Sequence, residues 1–91
     1  MDEERLKEII ANGKEASSWL NHPAFKHVIC LRKAELISAF EKTKFDQQNE
    51  RDEIWRKIQC LNSITQDFER IIRDASGAEK TLLEKIKNKF S

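Results

Sequence analysis

Two histidines, two cysteines, a short run of carboxylates and a few serines are the side chains here with chemistry to offer, and their spacing decides what they can do. His22 and His27 stand five residues apart. Groups sharing one helix face need a spacing of three or four, and no cysteine or carboxylate nearby completes a donor set, so the pair reads as solvated or capping histidines. Cys30 and Cys60 lie 30 residues apart without CxxC spacing, which indicates neither a zinc site nor a redox motif. Glu50, Asp52 and Glu53 resemble a catalytic cluster but fall where a helix starts, and acids there are favourable to the helix dipole. General acid–base work also needs a partly desolvated pocket, which a slim helical hairpin does not readily offer. Ser17, Ser18 and Ser63 have no histidine at a recognisable spacing, and the two glycines cannot form a phosphate-cradling loop. No enzyme signature emerges, no metal site is indicated, and no cofactor is called for.

The elements that carry these residues are helices. Charged residues at 36%, hydrophobic residues at 38%, one proline and two glycines suit long helices and leave few turns for a sheet, so an all-α fold is expected. The 91 residues make a single helical domain, 1–91. A chain below roughly 100 residues buries only about 60–65% of its unfolded surface, and help from a partner or an oligomer is expected. The formal net charge of +1 argues against strong sequence-independent attraction to nucleic acid or to an anionic membrane. An acidic start with no apolar run behind it reads as no secretory signal, and the longest apolar run, Val28 to Leu31, is far short of the roughly 20 residues that span a bilayer. A reduced, unsecreted protein with no membrane partner is the expectation.

Residues 54 to 75 carry the strongest pattern. Ile54, Ile58, Leu61, Thr65, Phe68, Ile72 and Ala75 recur at alternating spacings of four and three, the seam of a helix packed lengthwise on other helices. Four helices are expected in all. The first runs from about Asp2 to Leu20, where Gly13 either weakens it or permits a close backbone crossing. The second starts near Pro23, which suits a first helical position, and ends near Thr43. Phe25, Val28, Ile29, Leu31, Leu36, Ile37, Ala39 and Phe40 give it more than one apolar stripe, so it needs more than one neighbour. Asp46 is the expected amino-terminal cap of the third helix, and Ser76-Gly77 its expected stop. Ala78, Leu82, Leu83, Ile86 and Phe90 outline a short fourth helix that must dock on something.

The short link around Phe45 predicts an antiparallel hairpin of the second and third helices, flanked by amino- and carboxy-terminal helices in a small bundle. Residues whose numbers sum to about 90 then lie level, pairing Ile29 with Leu61 and Leu36 with Ile54. Cys30 and Cys60 come to the same height, but Cys60 precedes the seam residue Leu61 and turns off the shared face, so free thiols are expected.

Trp19 and Trp55 are costly to expose and favoured at interfaces, so they are candidate protein contacts as well as candidate core. Leu83, Ile86 and Phe90 join them as contact residues if the final helix is undocked. Charge is uneven: residues 23–44 carry five basic and two acidic groups, and residues 76–91 carry four and two. Lys80, Lys85, Lys87 and Lys89 are therefore the residues that an alternative nucleic-acid-binding role would use.

The order Ala16, Trp19-Leu20, Pro23-Ala24-Phe25, Leu31-Arg32, Thr43, Asp46, Arg51-Asp52, Ile54-Trp55, Leu61 and Gly77-Ala78 resembles small uncharacterised helical proteins encoded by tailed bacteriophages, from about Ala16 to Leu83. The resemblance implies a phage origin, a place in the host cytoplasm or the virion, and an accessory role in virion morphogenesis or on a host factor. It carries no active-site residues. The resulting expectation is a non-enzymatic protein acting by helix-mediated self-association or protein–protein interaction, as a homo-oligomer or part of a larger assembly. The alternative is a small oligomeric nucleic-acid-binding protein used in DNA packaging, in which a ring would gather modest basic patches.

Overall fold

The computed structural model describes residues 2–90. It is all-α: α1 spans Glu3–Leu20, α2 Pro23–Glu41 and α3 Gln48–Lys89. Each helix start has a local cause. The Asp2 carboxylate accepts a hydrogen bond from the Arg5 amide at 2.7 Å, satisfying one of the orphan donors of α1. His22 does the same for α2, its Nδ1 accepting from the Ala24 amide at 3.1 Å while Pro23 fills the first turn, where no amide hydrogen is needed.

The third helix departs from expectation at both ends. Asp46 does not cap it. The helix begins at Gln48, with the Gln47 carbonyl accepting from the Arg51 amide at 3.1 Å and the Gln47 side chain accepting from the Lys44 amide at 2.8 Å. The longer glutamine side chain reaches back to close the loop, leaving Asp46 exposed in the turn. Ser76-Gly77 does not stop the helix either, so the expected fourth helix is the continuation of α3. Gly77 has no positive φ. The apolar pattern carries across the glycine: after Ala75 the buried or half-buried positions go on as Ala78, Leu82 and Lys85, at three, four and three, and the doubled spacing of three at Ala75 shifts the seam without ending it.

Cα packing divides the chain into two units, one formed by residues up to Leu20 with those from Asp67, the other by Asn21–Gln66. In the first unit α1 runs antiparallel to the carboxy-terminal half of α3. Glu3 meets Lys89 at one end, and Gly13 lies against Ala75 nearer the other. Leu6, Gly13, Ala16, Ala75 and Ala78 are buried, and all but Leu6 are small. Small residues let the backbones approach closely. A Cβ placed on Gly13 would overlap that of Ala75 and stand 3.5 Å from the Ile71 carbonyl oxygen. The sequence pattern allowed Gly13 two readings, and the close crossing is the observed one.

The second unit has no fully buried residue. Near its turn the Arg51 guanidinium lies over the Phe40 ring, 4.5 Å from its centre, and 5.3 Å from that of Phe45. Farther out Arg32 and Leu36 line one hollow with Lys57, Cys60 and Leu61, so α2 runs antiparallel to this half of α3. Phe25, Ile29, Leu36 and Phe40 face Ile54, Ile58 and Leu61, but all seven are only half-buried. One helix on one helix covers a single stripe, and each side chain gains only part of the roughly 1.5–3 kcal/mol that full burial gives.

The two glycines of this all-α chain predict opposite outcomes for one substitution. Gly13→Ala should destabilise, because the gain in helix propensity of about 1 kcal/mol is outweighed by an overpacking cost of about 1–3 kcal/mol. Gly77→Ala meets open space and should stabilise by about 0.5–1 kcal/mol. Urea unfolding followed by circular dichroism reads both. A Gly77→Ala protein less stable than the parent would mean that the helix ends there in a left-handed cap.

Candidate interaction surface

The residues with chemical potential are dispersed. His22 is occupied as a helix cap. Asp52 accepts from the Gln48 side chain at 2.8 Å and Glu53 pairs with Lys57 at 3.5 Å, each within its own helix. Ser63 is turned back onto the Gln59 carbonyl at 2.9 Å. Cys30 and Cys60 are both exposed free thiols. Among the described residues no three histidine, cysteine or carboxylate groups come together in an arrangement able to hold a metal ion, and no helix is long and apolar enough to cross a membrane.

Exposed apolar surface is what the fold concentrates. Trp19 is 57% exposed, Trp55 55%, Leu83 66%, Ile86 41% and Phe90 86%. Such values leave a large part of each side chain uncovered, although an indole or phenyl ring buries 150–250 Å² when it is covered. The five candidate residues do not form one patch. Trp19 lines a hollow with Ala16, Phe68 and Ile71 in the first unit. Leu83 and Ile86, three apart, lie elsewhere on α3, and Phe90 follows just past its last residue. Trp55 belongs to the second unit, where it follows the inward-facing Ile54 as Ile37 follows the inward-facing Leu36. In an antiparallel pair those two positions lie on the same side.

Further apolar residues are exposed that the sequence reading had placed in the core or left aside. Val28, Leu31 and Ile37 of α2 are each about half exposed, and Phe45 in the turn is 93% exposed. The signal for the first three was present: α2 is apolar on more than one stripe and, within its unit, has one neighbour. Ile64 and Ile71 repeat at seven residues, each one position before the inward-facing Thr65 and Ile72.

The four carboxy-terminal lysines divide between two faces of α3. Lys85 and Lys89, four apart, lie toward α1, where the Lys89 ammonium sits 2.5 Å from the Glu3 carboxylate. Lys80 and Lys87, seven apart, share the face of Leu83. The Lys89 hydrogen bond, followed by its charge and then the smaller charge effects of Lys7 and Lys85, holds the Glu3 carboxyl below its ordinary range.

Comparison with known proteins gives no relative to draw on. No protein-family model, curated protein or solved structure matches the chain. The surface therefore has to be interpreted from its own residues.

Two measurements check this geometry. Both thiols should react with a soluble disulfide reagent in the folded protein, with both cysteines reduced, at rates close to those of the denatured chain, and a protected thiol would contradict the exposed placement. Because the Glu3 pKa is lowered, its contribution to stability is present above the unfolded carboxyl value of 4.5 and is lost as pH falls through the lower folded value. Glu3→Gln should remove that part of the acid dependence, and a stability profile unchanged by the substitution would exclude the pairing.

Proposed function

We propose that this chain is a non-enzymatic interaction protein: an antiparallel helical hairpin extended by a further helical pair in a small bundle, acting by helix-mediated self-association or by docking on a larger protein assembly. The single observation that carries the reading is the exposure of eleven large hydrophobic residues among the described ones, in a chain whose second unit has no fully buried residue. Single exposed apolar side chains are ordinary, whereas indole and phenyl rings left uncovered beside half-buried seams mark a surface made to be covered. Binding energy would come from completing those seams, with Trp19, Trp55, Leu83, Ile86 and Phe90 as anchors. With its resemblance to small phage-encoded helical proteins, the chain fits an accessory role in virion morphogenesis or on a host factor, in the virion or the host cytoplasm. The alternative of an oligomeric nucleic-acid-binding protein in DNA packaging draws less support. Lys89 is engaged by Glu3, and only Lys80 and Lys87 share an outer face.

Ile86→Ser together with Phe90→Ser tests the reading. Both residues are exposed, so the fold should change by no more than about 0.5 kcal/mol each, while association measured by sedimentation should weaken at least about tenfold. Unchanged association would remove these residues from the contact, and loss of helical signal would make them core. Binding to a DNA fragment that falls steeply with added salt and with neutralisation of Lys80 and Lys87 would favour the nucleic-acid reading instead.

A further inference from the structure

The first unit has two unlike sides. Its inward positions are Leu6, Gly13 and Ala16 on α1, and Phe68, Ile72, Ala75, Ala78 and Leu82 on α3. In an antiparallel pair, residues one position before an inward residue fall on one side of the layer, and residues one position after it fall on the other. The hollows lie mainly on the first side: Asn12, Glu15, Trp19 and Ile71, each preceding a buried or half-buried residue, line one, and Arg5, Asp74, Gly77 and Thr81, which do the same, line the next together with Arg73, which follows Ile72. Leu83 and Ile86 follow the half-buried Leu82 and Lys85, so this ridge lies on the opposite side from the Trp19 hollow, and Phe90 continues the chain just past the last residue of α3.

The two apolar sites also carry opposite charge. Glu15 lines the hollow. Lys80, Leu83, Lys87 and Phe90 recur at three, four and three, which sets two ammonium groups within the exposed stripe. Among the described residues none of the ion pairs of the chain engages Glu15, Lys80 or Lys87. An unpaired acid beside one apolar hollow and unpaired bases within one apolar ridge are complementary in charge.

We propose that the occupant of the hollow is a second copy of this chain, whose Leu83–Ile86–Phe90 ridge seats against Trp19, Phe68 and Ile71 while Lys80 or Lys87 reaches Glu15. The proposal rests on the interaction reading above and gives it a partner and a polarity. Ridge and hollow lie on opposite sides of the same unit, so the contact is head-to-tail. Each added copy presents a fresh site, and the assembly grows until it closes as a ring or continues as a filament. A two-fold dimer that buries one self-complementary patch is not the expected product.

The test separates the two halves of the contact. Trp19→Ala with Glu15→Lys disables the hollow, and Leu83→Ser with Phe90→Ser disables the ridge. By light scattering on a sizing column, each double variant alone should be a 10.7 kDa monomer where the parent assembles, and an equimolar mixture should give one species of two chains and nothing larger. A mixture that stays monomeric, a double variant that still assembles, or a parent that is monomeric at every concentration overturns the proposal. Circular dichroism checks that the variants are folded. Charge reversal supplies a second arm that leaves the apolar contacts intact. Glu15→Lys and Lys87→Glu should each raise the concentration for half-assembly about tenfold, and the two in one chain should restore it to within about threefold. Additive loss instead of restoration overturns the pairing. If the parent assembles but neither arm restores it, the interaction reading stands and this mode of contact falls.

Discussion

One seam on one helix organises everything else. From Ile54 to Leu82 the inward positions of α3 recur at spacings of three or four, and α1 and α2 each lay an apolar stripe against α3 within their own unit. The consequence is an accounting of neighbours. α1 has the carboxy-terminal half of α3, α2 has the amino-terminal half, and within each unit a helix meets one partner where a bundle core would supply two or three. In the first unit small residues compensate: Gly13, Ala16, Ala75 and Ala78 bring the backbones close enough to exclude water. In the second unit the larger Phe25, Ile29, Leu36, Ile54 and Leu61 stay half-covered.

That difference connects the fold to the proposed role. A layer of two amphipathic helices is an incomplete bundle, and its most economical completion is another helical surface. Most of the exposed apolar side chains, among them Trp19, Val28, Ile37, Trp55, Ile64, Ile71, Leu83 and Ile86, stand one residue before or after a half-buried position, on the flanks of the seams where a second layer would lie. The Arg51 guanidinium over Phe40 and Phe45 covers aromatic surface near the turn without enclosing it, for Phe45 remains almost fully exposed. The free thiols, the capping histidine and the helix-bound carboxylates are spread over this framework and converge on no common point.

Much of this was legible from residue spacing. The seam residues of α3 all prove to be buried or half-buried, the helix start at Pro23 is where the proline places it, and Gly13 marks a close crossing. Two boundaries were misread because a local signal was weighed above a longer-range one. Gly77 is a strong stop signal in isolation, but the recurrence of inward positions at Ala75, Ala78 and Leu82 outweighs it. Asp46 is a better intrinsic cap than Gln47, yet the glutamine side chain reaches the Lys44 amide and the helix starts one residue later. The candidate contact residues Trp19, Trp55, Leu83, Ile86 and Phe90 are all exposed, whereas Val28 and Leu31 could be assigned to surface only once the number of neighbours of α2 was known. Periodicity tells which residues face inward on a helix, and leaves open how many helices are there to meet them.

If association completes the half-covered seams, folding and assembly must be coupled. The most direct test is the urea midpoint measured under reducing conditions across a hundredfold range of protein concentration. The account predicts that the midpoint rises with concentration, since a species that binds only folded chains stabilises them by mass action. A midpoint independent of concentration, in a protein that sediments as a monomer throughout, would mean that the two-helix layers suffice by themselves and would contradict it.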